Sequence, residues 1–354
     1  MAFKHISNKE AKEAGNNFID LLVSVHDTEE PLIIEKVALD RLKGSSISHD
    51  TSRTESAVPP AQQHPHAPST QPSQDPPTSE GWSPPMDNHV HTEWSWDAPR
   101  EASMERSCEQ ALAAGLPGVA FTDHLDFTSW TDGDQIGAEK LDPHRYSRMH
   151  LLDIPGYLAA VDACRQRHPD LRILSGVEIG EAHLWAASAR ATVTAGIDRI
   201  LGSLHAIPYD GRLTAADDLF QELPAGDVMR RYFAELLRLV EGSDIFQVLA
   251  HLDFPRRMWP RAAGPYEERA FEAQYRAVLQ ALAAGDRVLE VNTKGPLVSA
   301  ELVRWWREAG GRAVSFGSDA HQPWRVGDKF KLAVDVVEAA GFRAGRDRFD
   351  FWRL

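Results

Sequence analysis

The chain is constrained above all by a recurrence. Seven short runs of apolar and β-branched residues fall at 87–91, 118–123, 171–178, 198–205, 245–251, 288–292 and 313–318. Helical patterns lie between most of them. Residues 100–114 place Met104, Cys108, Ala111 and Leu112 on one face and stop at Gly115. Asp227 stands as an N-cap for a helix over 228–241 that buries Val228, Tyr232, Leu236 and Leu239 and ends at Gly242. The stretches 266–284 and 299–309 repeat the logic. Strands alternating with helices over about 270 residues make a closed parallel barrel or a doubly wound sheet, and seven units are one short of the usual barrel.

Upstream the composition changes. Residues 51–85 hold nine of the chain's 22 prolines, with Ser, Thr and Gln between them. Such a segment cannot bury enough surface to offset its ordering entropy, so a disordered linker is expected there, with His64 and His66 as solvated residues. Residues 1–50 are a short region with modest apolar patterns and no assigned activity; one further reading starts the folded protein at Met86. No apolar stretch approaches the ~18–20 residues of a membrane span, and the polar N-terminus lacks a secretory h-region. Fifty-two acids against 38 bases give a net charge of −14, which argues against nucleic-acid binding. Two cysteines, Cys108 and Cys164, read as small core residues in a reducing cytoplasm. Nothing in the sequence speaks to an oligomeric state.

The chemistry gathers where the apolar runs end. On a strand, Asp87, His89 and His91 share a face, and two imidazoles at that spacing can chelate one ion. The later runs lead into Thr122-Asp123-His124, Gly176-Val177-Glu178, Gly202-Ser203-Leu204-His205, Ala250-His251-Leu252-Asp253 and Ser318-Asp319-Ala320-His321. In a parallel barrel these ends converge on one mouth. Histidine with carboxylate and without cysteine suits zinc, manganese or iron.

In this order the motifs HVH, TDH, GVE, GSLH, AHLD and SDAH resemble the PHP superfamily of metal-dependent phosphoesterases, most closely its histidinol-phosphatase branch, over roughly 86–340. The resemblance implies an α/β fold, a distorted seven-stranded (β/α) barrel behind the disordered N-terminal extension, with two or three divalent ions (Zn, Mn or Fe) in its mouth. It implies that His89, His91 and Asp319 hold one ion. Glu178 would bridge to a second, with His205 and His251. Asp97, His124 and His321 would take a third, unless Asp97 only caps the following helix. Asp253 stands as a catalytic residue beside His251, orienting a histidine or donating a proton, and Asp87 and Asp123 are candidates to bond a ligand imidazole. His144, His150, His168 and His183 match no motif.

Such ions, ~3.5–4 Å apart, lower the pKa of a bridging water and offset charge at a phosphate, so no protein nucleophile is needed; Glu178 counts as catalytic through the ions it bridges. A phosphate also wants cations at the mouth. Arg256, Arg257, Lys294 and Arg325 each follow a motif or strand, and relatives often carry a basic residue after the AHLD-like motif. Trp94, Trp96, Trp130 and Trp259 either wall the pocket or cover the barrel end. The resemblance implies a phosphomonoester hydrolase acting on L-histidinol phosphate in histidine biosynthesis. Another small phosphate ester or a nucleotide is the rival substrate, and a non-catalytic scaffold is the rival class.

Overall fold

Every one of the seven runs becomes a parallel strand in the computed structural model, which describes residues 83–127, 150–193 and 196–354. The expectations for 1–50 and for the linker up to 82, and those for Trp130 and His144, lie outside the described residues. The strands are β1 (Asp87–Val90), β2 (Gly118–His124), β3 (Arg172–Gly180) and β4 (Arg199–Ser203), then a hairpin of β5 (Ala206–Tyr209) and β6 (Arg212–Ala215), then β7 (Val248–Leu249), β8 (Val288–Asn292) and β9 (Ala313–Gly317). The main sheet runs β1-β2-β3-β4-β7-β8-β9, followed by a short antiparallel β10 (Trp352–Arg353). A parallel bridge between Val90 and Ala320 joins the first strand to the end of the last. The sheet therefore curls into a distorted barrel, and the doubly wound alternative is excluded.

The helices are α1 (Met104–Ala113), α2 (Ile154–Arg167), α3 (Ala186–Thr192), α4 (Ala225–Gly242), α5 (Glu272–Ala284), α6 (Ala300–Glu308) and α7 (Phe330–Ala339). Among the described residues, no helix is long and apolar enough to cross a membrane. Packing rather than propensity holds them. Along α4, Val228, Met229, Phe233, Leu236 and Leu239 are fully buried, each contributing roughly 1.5–3 kcal/mol. On α2, the Tyr157 hydroxyl lies 2.7 Å from the Phe121 carbonyl and accepts from the Gly176 N–H at 3.0 Å, tying the helix to β2 and β3. Cys108 and Cys164 are both buried and free.

Several local expectations change. Leu112 is exposed, because the buried face of α1 runs through Met104, Cys108 and Ala111. Asp227 lies in the first turn of α4 and pairs with Arg230; Pro224 holds the cap position. The 266–284 stretch splits into a 3-10 turn over Glu268–Phe271 and α5. Only Val248 and Leu249 of the 245–251 run are strand, since His251 turns to φ +22°. The β5–β6 hairpin was not foreseen. Its Asp210-Gly211 turn has positive φ at both residues, the conformation that this dipeptide favours between strands.

Candidate metal centre

The pleat of β1 points His89 and His91 to one side, where their Nε2 atoms approach to 3.1 Å. The other nitrogen of each ring is occupied. His89 Nδ1 meets Glu290 Oε1 at 2.6 Å, and His91 Nδ1 meets Ser95 Oγ at 2.9 Å. With Nδ1–H given to the Glu290 carboxylate, the neutral His89 ring turns a bare Nε2 lone pair toward its neighbour. Two such lone pairs need positive charge between them, which a shared proton or a metal cation supplies.

Parallel register sets the next pair, because His124 at the end of β2 lies opposite Glu178 on β3. Glu178 is the hub. Its Oε2 lies 3.3 Å from His89, 3.2 Å from His91 and 3.4 Å from His124, and its Oε1 lies 2.6 Å from His251 and 3.4 Å from His205. Beyond β9, Asp319 completes the His89–His91 side, and His321 Nε2 reaches Asp97 Oδ2 at 2.7 Å. Two of these donors, His251 and Asp319, sit at positive φ (+22° and +50°), a strained backbone held by its surroundings. The Glu290 carboxylate accepts from the His251 N–H at 2.7 Å, and the His89 carbonyl accepts from the Asp319 N–H at 2.7 Å. Gly317 is glycine for space, since a Cβ there would strike Glu290 and His89.

All nine predicted donors come together. They form four interlocked sets whose ligand atoms lie within 4.8 Å of one another: His91, Asp97, His124 and His321; His89, Glu178 and His251; His89, His91 and Asp319; His124, Glu178 and His205. His205 and His251 fall in different sets, yet both approach Glu178 Oε1 and their rings lie 5.1 Å apart. Asp97 does not cap α1, a task that falls to Ser103.

Burial opposes charge throughout, and the neighbours decide the outcome. Against burial, Glu290, Glu178 and Asp319 hold the His89 imidazolium well above its ordinary range. Against burial, Asp97, Glu178 and Asp126 raise His124 to about 10. His91 goes the other way: burial, His321 and His124 hold it well below. Despite burial, four imidazoles keep Glu178 far below the usual carboxylate range, and Lys294, Arg257 and His89 do the same for Asp319. Adjacent imidazoles are thus pulled in opposite directions around carboxylates that demand positive charge. Divalent cations meet that demand without protons, so the donor set fits them.

A cavity of about 290 Å³ opens over these donors. Arg257 and Lys294 line it and bond Asp319 at 2.7 and 2.9 Å. Trp96 lines it and donates to Asp126. Other expected residues do not line it. Asp253 lies to one side, accepting from Arg256 at 3.1 Å and Tyr275 at 2.9 Å, so it is not placed to protonate a leaving group in this cavity. Arg256 is committed to Asp253 and Glu268. Arg325 is exposed and paired with Asp328. Trp94 packs on Tyr157, and Trp259 packs among Phe220, Tyr266 and Phe271. Asp87 accepts from the backbone of His89, Ser318 and Gly327, and Asp123 from Thr92; neither touches an imidazole nitrogen. His150 belongs to none of the four sets, His168 pairs with Glu105 and His183 with Glu235.

Sequence reasoning missed Glu290, Ser95 and Asp126. Glu290 was open to detection: an acid at the centre of the apolar strand Val288–Asn292 needs a partner. Ser95 and Asp126 carry no such signal, being polar residues in loops.

Comparison with known proteins identifies the family. A probable histidinol-phosphatase of Deinococcus radiodurans is 31% identical over 73% of this chain and 94% of its own length. The histidinol-phosphatase of Lactococcus lactis is 24% identical over 73% of this chain and 91% of its own. The crystal structure of the Lactococcus enzyme, complexed with zinc, L-histidinol and phosphate, superposes with a TM-score of 0.60 at 21% identity, covering 75% of this chain and 98% of that one. The sequence profile of the PHP domain matches residues 87–294, from the first histidine-bearing strand to the lysine at the cavity. This chain belongs to the PHP domain family.

Proposed function

We propose that the protein hydrolyses L-histidinol phosphate to L-histidinol and inorganic phosphate, using two or three divalent ions of zinc, manganese or iron. The observation that carries this reading is the cavity in which four interlocked donor sets meet two basic side chains. His89, His91 and Asp319 would hold one ion, Glu178 with His205 and His251 a second, and Asp97, His124 and His321 a third. Bound there, such ions supply Lewis acidity toward water and phosphate oxygens.

The chain's own side chains do the rest. The Arg257 guanidinium is fixed by Asn292 at 2.8 Å and lies over the Phe254 ring, so its planar fork is preset for phosphate oxygens. Lys294 adds a second charge on the same side. Trp96, Phe254 and Met258 offer apolar faces for an imidazole ring, and Asp217 offers a carboxylate for an ammonium group. The cavity suits a small ester. Asp253 would act at one remove, by holding Arg256 next to Arg257. Buried, unpaired Cys108 and Cys164 accord with a reducing cytoplasm as the place of action.

With Mn²⁺ or Zn²⁺ supplied, phosphate release from L-histidinol phosphate is expected to exceed that from other small phosphate esters by about tenfold or more in kcat/KM. A different ester at the head of the screen would displace the substrate and leave the phosphatase reading. Arg257→Ala and Lys294→Ala are each expected to raise KM by roughly 10–100-fold, the loss of a charge-assisted contact to phosphate. Removing residues 1–85 is expected to leave both kcat and KM near those of the full chain, because every donor and basic group named here lies beyond that point. A folded but inactive truncation would refute this.

A further inference from the structure

The opposite end of the barrel is basic, and the sheet register makes it so. Leu289 pairs with Val314, so Arg287 and Arg312 precede β8 and β9 at the same level, and Arg353 lies opposite the next residue, Ala313, where β10 ends. Arg199 opens β4, the neighbour of β7, whose leading Gln247 bonds back to Ile200. These four arginines line a cavity of about 670 Å³ that shares no residue with the mouth.

Their charges are poorly matched. The Arg199 Nε is buried without a hydrogen-bond partner, and its Nη1 has only a long contact, 3.4 Å, to Gln247. Burial outweighs the attraction of Asp198 and, with the like charge of Arg172, draws its pKa down to about 10. Arg287 is bonded to the neutral carbonyls of Val240 and Ser243, and the nearby carboxylate that attracts it, Asp244, is paired with Arg190. Three acids also line the cavity, but Asp198 is held by Arg165 at 2.7 Å and Asp244 by Arg190, which leaves Asp286. Aromatic rings fix two of the guanidiniums: Arg199 lies 4.2 Å over Phe351, and Arg287 lies 4.2 Å over Phe246. A preset, partly desolvated cation whose nearest acid is shared with another arginine is costly to keep, and an anion relieves it.

We propose that this basal cavity is a second ligand site, for a small polyanion bearing phosphate groups and up to a nucleotide in size. Several guanidiniums in one cavity call for more than one anionic group, since each can grip two oxygens of a phosphate. The volume lies in the range of small-molecule sites.

The test is calorimetric titration of the metal-loaded full chain with ADP, and separately with sulfate. ADP is expected to bind with a Kd below about 1 mM. Arg353→Gln, at an exposed position, and Arg199→Gln are each expected to weaken that binding by about tenfold or more, while Arg257→Gln at the mouth leaves it unchanged. If Arg199→Gln fails to fold, Arg353→Gln decides alone. The proposal is overturned by three results: no ADP binding up to about 10 mM; binding lost in Arg257→Gln but kept in Arg353→Gln; or Arg353-dependent binding of sulfate without ADP, which would leave a site for a single small anion.

Discussion

Glu178→Ala is expected to lower phosphate release by about a thousandfold or more, the scale of losing a central electrostatic element of a catalytic site. The reason lies in its contacts. One carboxylate, 1% exposed, lies within 3.4 Å of five imidazoles and belongs to two of the four donor sets. No second acid among the described residues stands in for it, because Glu290 is committed to His89 Nδ1 and the His251 N–H. Glu178→Gln keeps the shape and removes the charge, so it separates ligation from packing. It should be as inactive as the alanine variant while melting closer to the parent. Steady-state phosphate release and circular dichroism melts measure both. Activity within tenfold of the parent in Glu178→Gln would remove the centre from the reaction.

Chelation is expected to abolish activity, lower Tm and make stability strongly dependent on pH. In the metal-free protein, against the effect of burial, carboxylates hold the pKa values of His89, His124 and His205 above the unfolded value. Groups raised in this way stabilise the fold fully below about pH 6.5, and that contribution is lost as pH rises through the folded values, about 10 for His124. His91 and His251 are shifted down, so for them stability falls as pH drops below about 6.5, where the unfolded chain takes up protons and the folded one resists. The chelated protein should therefore melt highest near neutral pH and lose stability on both sides. The metal-loaded protein should show a flatter profile, because the imidazoles then hold ions instead of protons. Thermal melts from pH 5.5 to about 10, with and without chelator, read this out directly. Identical profiles would mean that these groups hold no metal.

Much of this was legible in the sequence because of periodicity. Alternation on a strand put His89 and His91 on one face, and the chemistry of parallel barrels brought the strand ends together before any coordinates were known. Eight of the nine donors stand at those strand ends, while their choice as ligands, and Asp97 altogether, rested on the resemblance to the PHP superfamily. What escaped was whatever depends on side-chain direction in loops. Arg256 and Arg257 are neighbours in sequence, yet one faces Asp253 and Glu268 while the other lines the mouth. Asp253 follows His251 by two residues, but the positive φ at His251 breaks the extended spacing that would have set the two together. Asp227 is a good capping residue in the wrong register, since the helix starts two residues before it. The Asp210-Gly211 hairpin, in contrast, had a clear local signature and was overlooked.

The bridge that closes the sheet has a consequence in time. Asp319 N–H bonds the His89 carbonyl, the His91 N–H bonds the Ala320 carbonyl, and Asp87 accepts from Ser318 and Gly327, across some 230 residues of chain. A ribosome delivers β1 more than two hundred residues before β9, so the early histidines emerge long before the partners that seat them. Contacts of such sequence separation are slow to form and leave the nascent chain open while they are awaited. The same seam that shuts the barrel also brings in Asp319 and His321, so closure and completion of the donor set are one event. Until residue 319 has been made, His89 and His91 have no Asp319 to complete their set, so maturation with ions belongs after β9 has joined the sheet.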